Sequence, residues 1–280
     1  LELAKKAFYW LEEHSYDPEY GGYFQSLALD GTPLKRDSST ASTATFGYKD
    51  QNSSIHLLEA FTELYGVWKD PLVKKRTKEL LAIIRDTIVQ KEGYLQLFLY
   101  PDWKPVSFKN EGRASIEKHH SIDHVSYGHD VETAYLMMEA SHVLGLEEDY
   151  RTWQIGKKMV DNSLQYGWDN ETGGFYDGGY YFVGASEPEL IKDTKNWWAQ
   201  AEGLNTLLIM TDLYPEDSLD YFEKFQLQWD YIQKYLIDHE NGEWYPGGLD
   251  KQPELKNARK GQIWKTAYHN FRSLNNCEKK

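Results

Sequence analysis

The sequence predicts an all-α fold: a toroid of helical hairpins of the (α/α)6 type, with about four of six hairpins present and short β-hairpin turns between helices. Three observations lead there. A glycine turn recurs along the chain. Stretches of helical periodicity precede and follow each copy. The histidines and a tryptophan pair fall at matching places in that repeat.

The turn is clearest in Asp17-Pro18-Glu19-Tyr20-Gly21-Gly22-Tyr23-Phe24 and Asp169-Asn170-Glu171-Thr172-Gly173-Gly174-Phe175-Tyr176. Asp238-His239-Glu240-Asn241-Gly242-Glu243-Trp244-Tyr245 is a third copy, and Lys91-Glu92-Gly93-Tyr94 a degraded one. The copies are spaced by multiples of roughly 70 residues, a period that marks a repeat architecture. Glycine supplies the backbone angles that end a helix and start a tight turn. The aromatics that follow suit a short extended arm.

In chain order, the first hairpin is expected from helices near 1–14 and 50–66, where Ile55, Leu58, Ala60, Phe61 and Leu64 share one broad face. The second is expected from 71–89 and 128–144, with Leu136, Met137, Ala140, Val143 and Leu144 on the buried face. The third uses 147–165 and 196–213, and the fourth 217–237 and 263–277. Each pair reads as an outer helix followed by an inner one. Two long connections, 24–48 and 94–126, read as loops, the second lying over one mouth of the barrel. Six hairpins of this period need roughly 420 residues. The 280 residues are therefore expected to be a single α/α domain forming the C-terminal two-thirds of such a barrel. Helix 1–14, with Leu3, Ala7, Phe8 and Leu11 at helical spacing, should border an open apolar edge. If the chain is whole, a second subunit, as in a homodimer, or a rearranged packing is expected to cover that edge.

A net charge of −13 argues against nucleic acid or an anionic membrane surface as partner. No apolar run reaches the ~18 residues of a bilayer span. Cys277 is the single cysteine, which fits a reducing, cytoplasmic compartment. Aromatic residues make up 15% of the chain, enough both for a core and for platforms on which sugar rings stack.

Near the start of the inner helices lie His56, His129, Trp197-Trp198 and His269. A repeat sets equivalent positions on equivalent elements, so these four should face one cavity. Glu132 follows His129 by three, on the same helix face, where a carboxylate can orient an imidazole. Asn52 and Glu59 flank His56, and Arg272 follows His269 by three. Adjacent tryptophans on a helix point about 100° apart, so one faces the cavity while the other packs. Metal ligation is not expected: H-E-x-x-H is missing and one cysteine makes no thiolate cluster. His119, His120 and His124 read as a solvated loop. There is no G-x-S-x-G elbow for a nucleophilic serine. Glu132, Glu202 and Asp130 keep paired-carboxylate glycoside cleavage open. A non-catalytic carbohydrate-binding fragment is a third reading.

Four segments carry a resemblance: 52–65 around His56, Ser126-Tyr127-Gly128-His129-Asp130-Val131-Glu132, Trp197-Trp198-Ala199-Gln200-Ala201-Glu202, and Trp264 through Arg272 together with Trp244. In order and spacing the chain resembles the N-acylglucosamine 2-epimerase superfamily, and its Gly-His-Asp and Tyr-His-Asn-x-Arg forms resemble the cellobiose 2-epimerase branch. The resemblance implies an (α/α)6 barrel that 2-epimerises, or converts between aldose and ketose, a reducing mono- or disaccharide without a cofactor. It implies that His129 and His269 exchange protons at opposite faces of C2, with His56 assisting and Glu132 supporting His129. It implies sugar contacts from Asn52, Trp197, Trp198, Glu202, Trp264 and Arg272. Thr266-Ala267 stands where cellobiose enzymes often have Cys-Pro, which leaves the length of the sugar open.

Overall fold

A computed structural model describes residues 1–34 and 49–279. Apart from the helix Arg113–Asp123, which lies in a connection, its helices alternate between an outer and an inner layer. They are α1 (Glu2–His14), α2 (Gln51–Val67), α3 (Pro71–Ile83), α4 (Arg113–Asp123), α5 (Tyr127–Val143), α6 (Tyr150–Tyr166), α7 (Trp197–Leu213), α8 (Tyr221–Tyr231) and α9 (Tyr268–Glu278). Helices α1, α3, α6 and α8 form the outer layer; α2, α5, α7 and α9 form the inner one. Each inner helix packs on the next, α2 on α5, α5 on α7 and α7 on α9. The outer helices lean on the inner ones behind them, α3 on α2, α6 on α5 and α8 on α7.

The starts of these helices follow from local chemistry. Asp50, Asp70, Asp149 and Asp220 each accept a backbone N–H of the first turn, at α2, α3, α6 and α8. Helices α5 and α7 are buried almost all round, as central helices must be. The outer helices α3 and α8 both close in a π turn, Ile84–Ile88 and Ile232–Leu236, just ahead of their glycine turns.

The repeated turn folds the same way in three places and is one residue shorter in the degraded copy. Its arms meet as antiparallel bridges at Tyr16–Tyr23, Val89–Leu95, Trp168–Phe175 and Ile237–Trp244. Gly21, Gly173 and Gly242 have φ of 72°, 79° and 76°, which a side chain resists. A lysine ammonium clamps three of the copies. Lys49 bonds Asp17 and the Gly21 carbonyl at 2.7 Å each. Lys195 bonds Asp169 at 2.7 Å and the Gly173 carbonyl at 2.8 Å. Lys260 bonds Asp238 and the Gly242 carbonyl. The degraded copy is held from the other side: the buried Asp130 accepts the Leu95 N–H at 2.9 Å.

The expected helices all form, with ends shifted by a few residues, but their pairing is offset: each outer helix packs chiefly on the inner helix before it, α3 on α2, α6 on α5 and α8 on α7, and not on the one after it. One connection differs from expectation. Within 94–126 the chain forms α4 and, before it, the strand Phe98–Leu99, which pairs with Lys49–Asp50. Helix α4 is amphipathic and short, with only Ile116 and Ile122 buried. Its polar, histidine-rich sequence hides that pattern. Gly178–Tyr180 and Glu189–Lys192 form a second two-stranded ribbon. The connection 24–48 lies partly outside the described residues. On the flanks of the array Leu3 of α1 and Phe271 of α9 are 80% and 70% exposed. Among the described residues no helix is long and apolar enough to cross a membrane.

Candidate active site

The inner helices α2, α5, α7 and α9 bring their expected residues to one cavity of about 220 Å³, lined by Asn52, His56, His129, Glu132, Trp197, Trp198, Trp264 and His269. The phase of the repeat, read from sequence, is thus the phase of the site. Gly128 makes part of this fit possible. A Cβ there would lie 2.5 Å from Ala199 Cβ and 2.8 Å from the Trp198 ring. With no Cβ, α5 and α7 approach closely, and Trp198 lies over His129 with ring centroids 4.5 Å apart. The same indole stands 5.8 Å from the His269 ring. Trp197 is buried in a core with Ala201, Leu204 and Tyr231. Of the tryptophan pair, Trp198 therefore presents the larger face to the cavity. Trp264 is 69% exposed, at the cavity rim.

Beneath the histidines lies a buried ionic layer. Arg272 donates to Glu132 at 2.7 Å, sits 2.7 Å from Glu202, and also bonds Glu59 and the Tyr268 hydroxyl. Glu202 accepts from Tyr135 at 2.9 Å and meets His269 Nδ1 at 2.6 Å. Glu132 and Glu202 are both fully buried. Burial and the charge of Glu202 raise the Glu132 carboxyl above its ordinary range. Burial would raise Glu59 too, but bonds from His56, Arg272 and Tyr268 outweigh it and lower it to about 2.

The three histidines differ in their surroundings. His56 meets Glu59 at 3.2 Å. Burial opposes its charge, yet Glu59 and the field of Glu132 prevail and raise its pKa. His129 meets the Ser126 hydroxyl at 2.7 Å through Nδ1. Part of its ring reaches the cavity, but lost hydration, and then the nearby His56, His124 and His269, lower it to about 3. His129 is therefore neutral at pH 7. His269 has a carboxylate partner, Glu202, where His129 has a hydroxyl.

Glu132 is in the cavity wall, as expected, but does not hold His129. Its carboxylate turns to Arg272, and lies 3.9 Å from His269. The i, i+3 spacing from His129 permits a contact, and the stronger charge on α9 takes it. Arg272 likewise spends its guanidinium on three carboxylates. Glu59, read from sequence as flanking His56, does meet it, while Ser126, Tyr135 and Tyr268 join the site without having been singled out. Ser126 stands three before His129, a spacing that could have marked it, although serine at a helix start reads first as a cap. Glu132, Glu202 and His269 offer ligand atoms within 4.8 Å of one another, a spacing that could hold a metal ion. The Arg272 guanidinium already bridges both of these carboxylates. His119, His120 and His124 sit on or at the end of α4 rather than in a loop. His119 stacks on Phe108, while His120 and His124 bond the carbonyls of Glu117 and His120.

Inner helices that carry histidines above buried carboxylates, backed by an outer helical layer, place the chain in the α/α-barrel class of fold. Residues 30–273 match the N-acylglucosamine 2-epimerase (GlcNAc 2-epimerase) family, and the chain belongs to it. It is 28% identical over 287 residues to the cellobiose 2-epimerase of Bacteroides fragilis, covering 97% of this chain and 64% of that protein. It is 22% identical to the D-mannose isomerase of Marinomonas mediterranea, covering 92% of this chain and 60% of that one. The solved cellobiose 2-epimerase of Spirochaeta thermophila superposes with a TM-score of 0.78 at 26% identity, over 98% of this chain and 63% of that one. The chain thus spans under two-thirds of the length of these relatives.

Proposed function

We propose that this chain carries the proton-transfer site of a sugar 2-epimerase or aldose–ketose isomerase, with His129 and His269 acting at C2 of a ring-opened reducing sugar. The observation that carries the reading is the pair of imidazoles on one cavity, both beside the Trp198 indole and held by unlike partners. The C2 proton is acidic only while C1 is a free carbonyl. Neutral His129 takes that proton on Nε2, and the C–H electron pair becomes the C1–C2 double bond of an enediolate. His269, held through Nδ1 by Glu202, returns a proton to the opposite face of C2, and the C1 carbonyl re-forms. Imidazole suits both steps because its pKa lies near neutrality. His56, which Glu59 keeps inclined to hold a proton, is placed to stabilise the oxyanion on O1. Trp198 supplies an apolar face for the sugar, and Trp264 at the rim suits a second ring of a disaccharide. Carboxylate-driven glycoside cleavage is less well supported, because Glu132 and Glu202 are both bonded to Arg272.

Proton NMR of reducing mono- and disaccharides in D₂O tests the reading. Deuterium is expected at C2 of the substrate, with its epimer or ketose appearing alongside. Glycosidic cleavage with C2 unlabelled would sink it. The lone Cys277 fits a reducing, cytoplasmic setting. In the same proposal residues 1–280 are the C-terminal two-thirds of a family-length barrel, and further hairpins cover Leu3, Trp10 and Phe271. Adding two N-terminal hairpins should then raise the melting temperature. A stable homodimer of residues 1–280 that buries those side chains would count against it.

A further inference from the structure

We infer that Ser126 is a positioning residue for His129: its buried hydroxyl accepts from Nδ1–H and so leaves the lone pair of Nε2 facing the cavity. The inference rests on the two-histidine reading for its consequence, though not for its geometry. Ser126 occupies the cap position of α5, yet its side chain makes no capping bond. The aspartates that begin α2, α3, α6 and α8 all spend their side chains on the helix. Ser126 is 5% exposed, and its Oγ lies 2.7 Å from His129 Nδ1. A buried serine at a cap, diverted from the helix to an imidazole, gives up a stabilising bond for the orientation of that ring.

The choice of a hydroxyl has chemical consequences. A carboxylate at Nδ1 of His129 would put a negative charge beside the ring and favour its imidazolium form. A neutral hydroxyl fixes the ring and the tautomer without adding charge, so His129 takes a proton at Nε2 and releases it again. When Nε2 is protonated, Nδ1–H remains bonded to Oγ, and no second proton has to move. The two imidazoles therefore differ by design: one is held by a neutral partner, the other by an anion.

The test uses ¹⁵N NMR of the imidazole rings in the whole chain, with His129 assigned through His129→Asn. In the unsubstituted protein His129 should hold its proton on Nδ1. Ser126→Ala and Ser126→Gly should both shift His129 toward a mixture of tautomers, and Ser126→Thr should keep the original form. Glycine is a fair helix cap, so Ser126→Gly guards against a folding defect in the alanine variant. Turnover should fall about tenfold in kcat with KM little changed, the loss of one hydrogen bond to the reacting ring. An unchanged His129 spectrum in both hydroxyl-free variants would overturn the inference. So would full kcat in both. If His129→Asn keeps full turnover, the two-histidine reading fails instead, while the NMR result still judges the role of Ser126.

Discussion

Arg272 on α9 donates to Glu132 on α5 at 2.7 Å, across 140 positions of sequence, and the contact is the centre of the buried charge layer under the cavity. One guanidinium there serves Glu59, Glu132 and Glu202 together. Removing it leaves carboxylates in a place where water cannot replace it. Arg272→Met should cost about 3–5 kcal/mol of stability, as breaking a buried ion pair from one side does. Arg272→Met combined with Glu132→Gln should recover part of the loss. Urea denaturation of the single and double variants measures both, and additive costs would mean the two groups are not coupled.

Catalytic ranking separates proton transfer from hydrolysis. His129→Ala and His269→Ala should each lower turnover about 10²–10⁴-fold, the usual worth of a positioned acid or base. Glu132→Gln should cost less, since Glu132 bonds Arg272 at 2.7 Å and lies 3.9 Å from the His269 ring, beyond hydrogen-bond distance. Deuterium incorporation at C2, followed by NMR on folded variants, checks the order. Essential carboxylates with dispensable histidines would reverse it.

Much of this arrangement was legible before any coordinates, and for physical reasons. A repeat fixes where each inner helix begins, so His56, His129, the Trp197-Trp198 pair and His269 could be placed on one cavity from their spacing alone. Periodicity places the helix starts to within a few residues, and the caps Asp50, Asp70 and Asp149 are what fix them. Partner choice was not legible. Glu132 lies within reach of His129 along its own helix, but Arg272 arrives from a distant segment, and periodicity carries no information on which of two neighbours a carboxylate prefers. Helix α4 was missed because only Ile116 and Ile122 mark its buried side. The tryptophan pair shows the limit from the other direction. Their 100° separation says that one packs and one faces the cavity, and only the core around Tyr231 says which.

Protonation of His129 and Glu59 should make the fold sensitive to acid. His129 titrates at about 3 in place of an ordinary 6.5, so between those values the unfolded chain binds the extra proton. Stability from this group is complete above pH 6.5 and is lost as the pH falls toward 3. Glu59, lowered from 4.5 to about 2, acts in the same direction over that lower window. Glu132 and His56, both raised, act in the opposite direction. The clean measurement is therefore a difference. His129→Gln should show a shallower rise of stability with pH between 3 and 6.5 than the unsubstituted protein, and Glu59→Gln a shallower rise between 2 and 4.5. Denaturant midpoints across that range report it; parallel curves would show that His129 is not shielded from protonation.

The lysine clamps offer a graded test of what holds the turns. Lys49 and Lys195 have fully buried side chains, against Asp17 at 5% and Asp169 at 6% exposure. Lys260 clamps the third copy of the same turn, but its side chain is 22% exposed. Burial decides how much water can do when the ammonium is gone. Lys195→Met leaves the buried Asp169 carboxylate with donors from Glu171 and Thr172 but no opposite charge, so the loss should be about 3–5 kcal/mol. Lys49→Met should fall in the same range, since it strands Asp17 and the Gly21 and Pro101 carbonyls. Asp238 is as little exposed as the other two aspartates, at 7%, but the lysine above it is not, so water can enter where the ammonium was, and Lys260→Met should cost less, about 1 kcal/mol. Pairing each lysine variant with the asparagine variant of its aspartate should recover stability at Asp17 and Asp169, because the stranded charge goes with it. Recovery should be small at Asp238, where little was lost. Thermal and urea unfolding of the six proteins measures the series. Equal costs at all three turns would mean that the clamps act through the shared turn geometry, and that burial of the ammonium has no part in it.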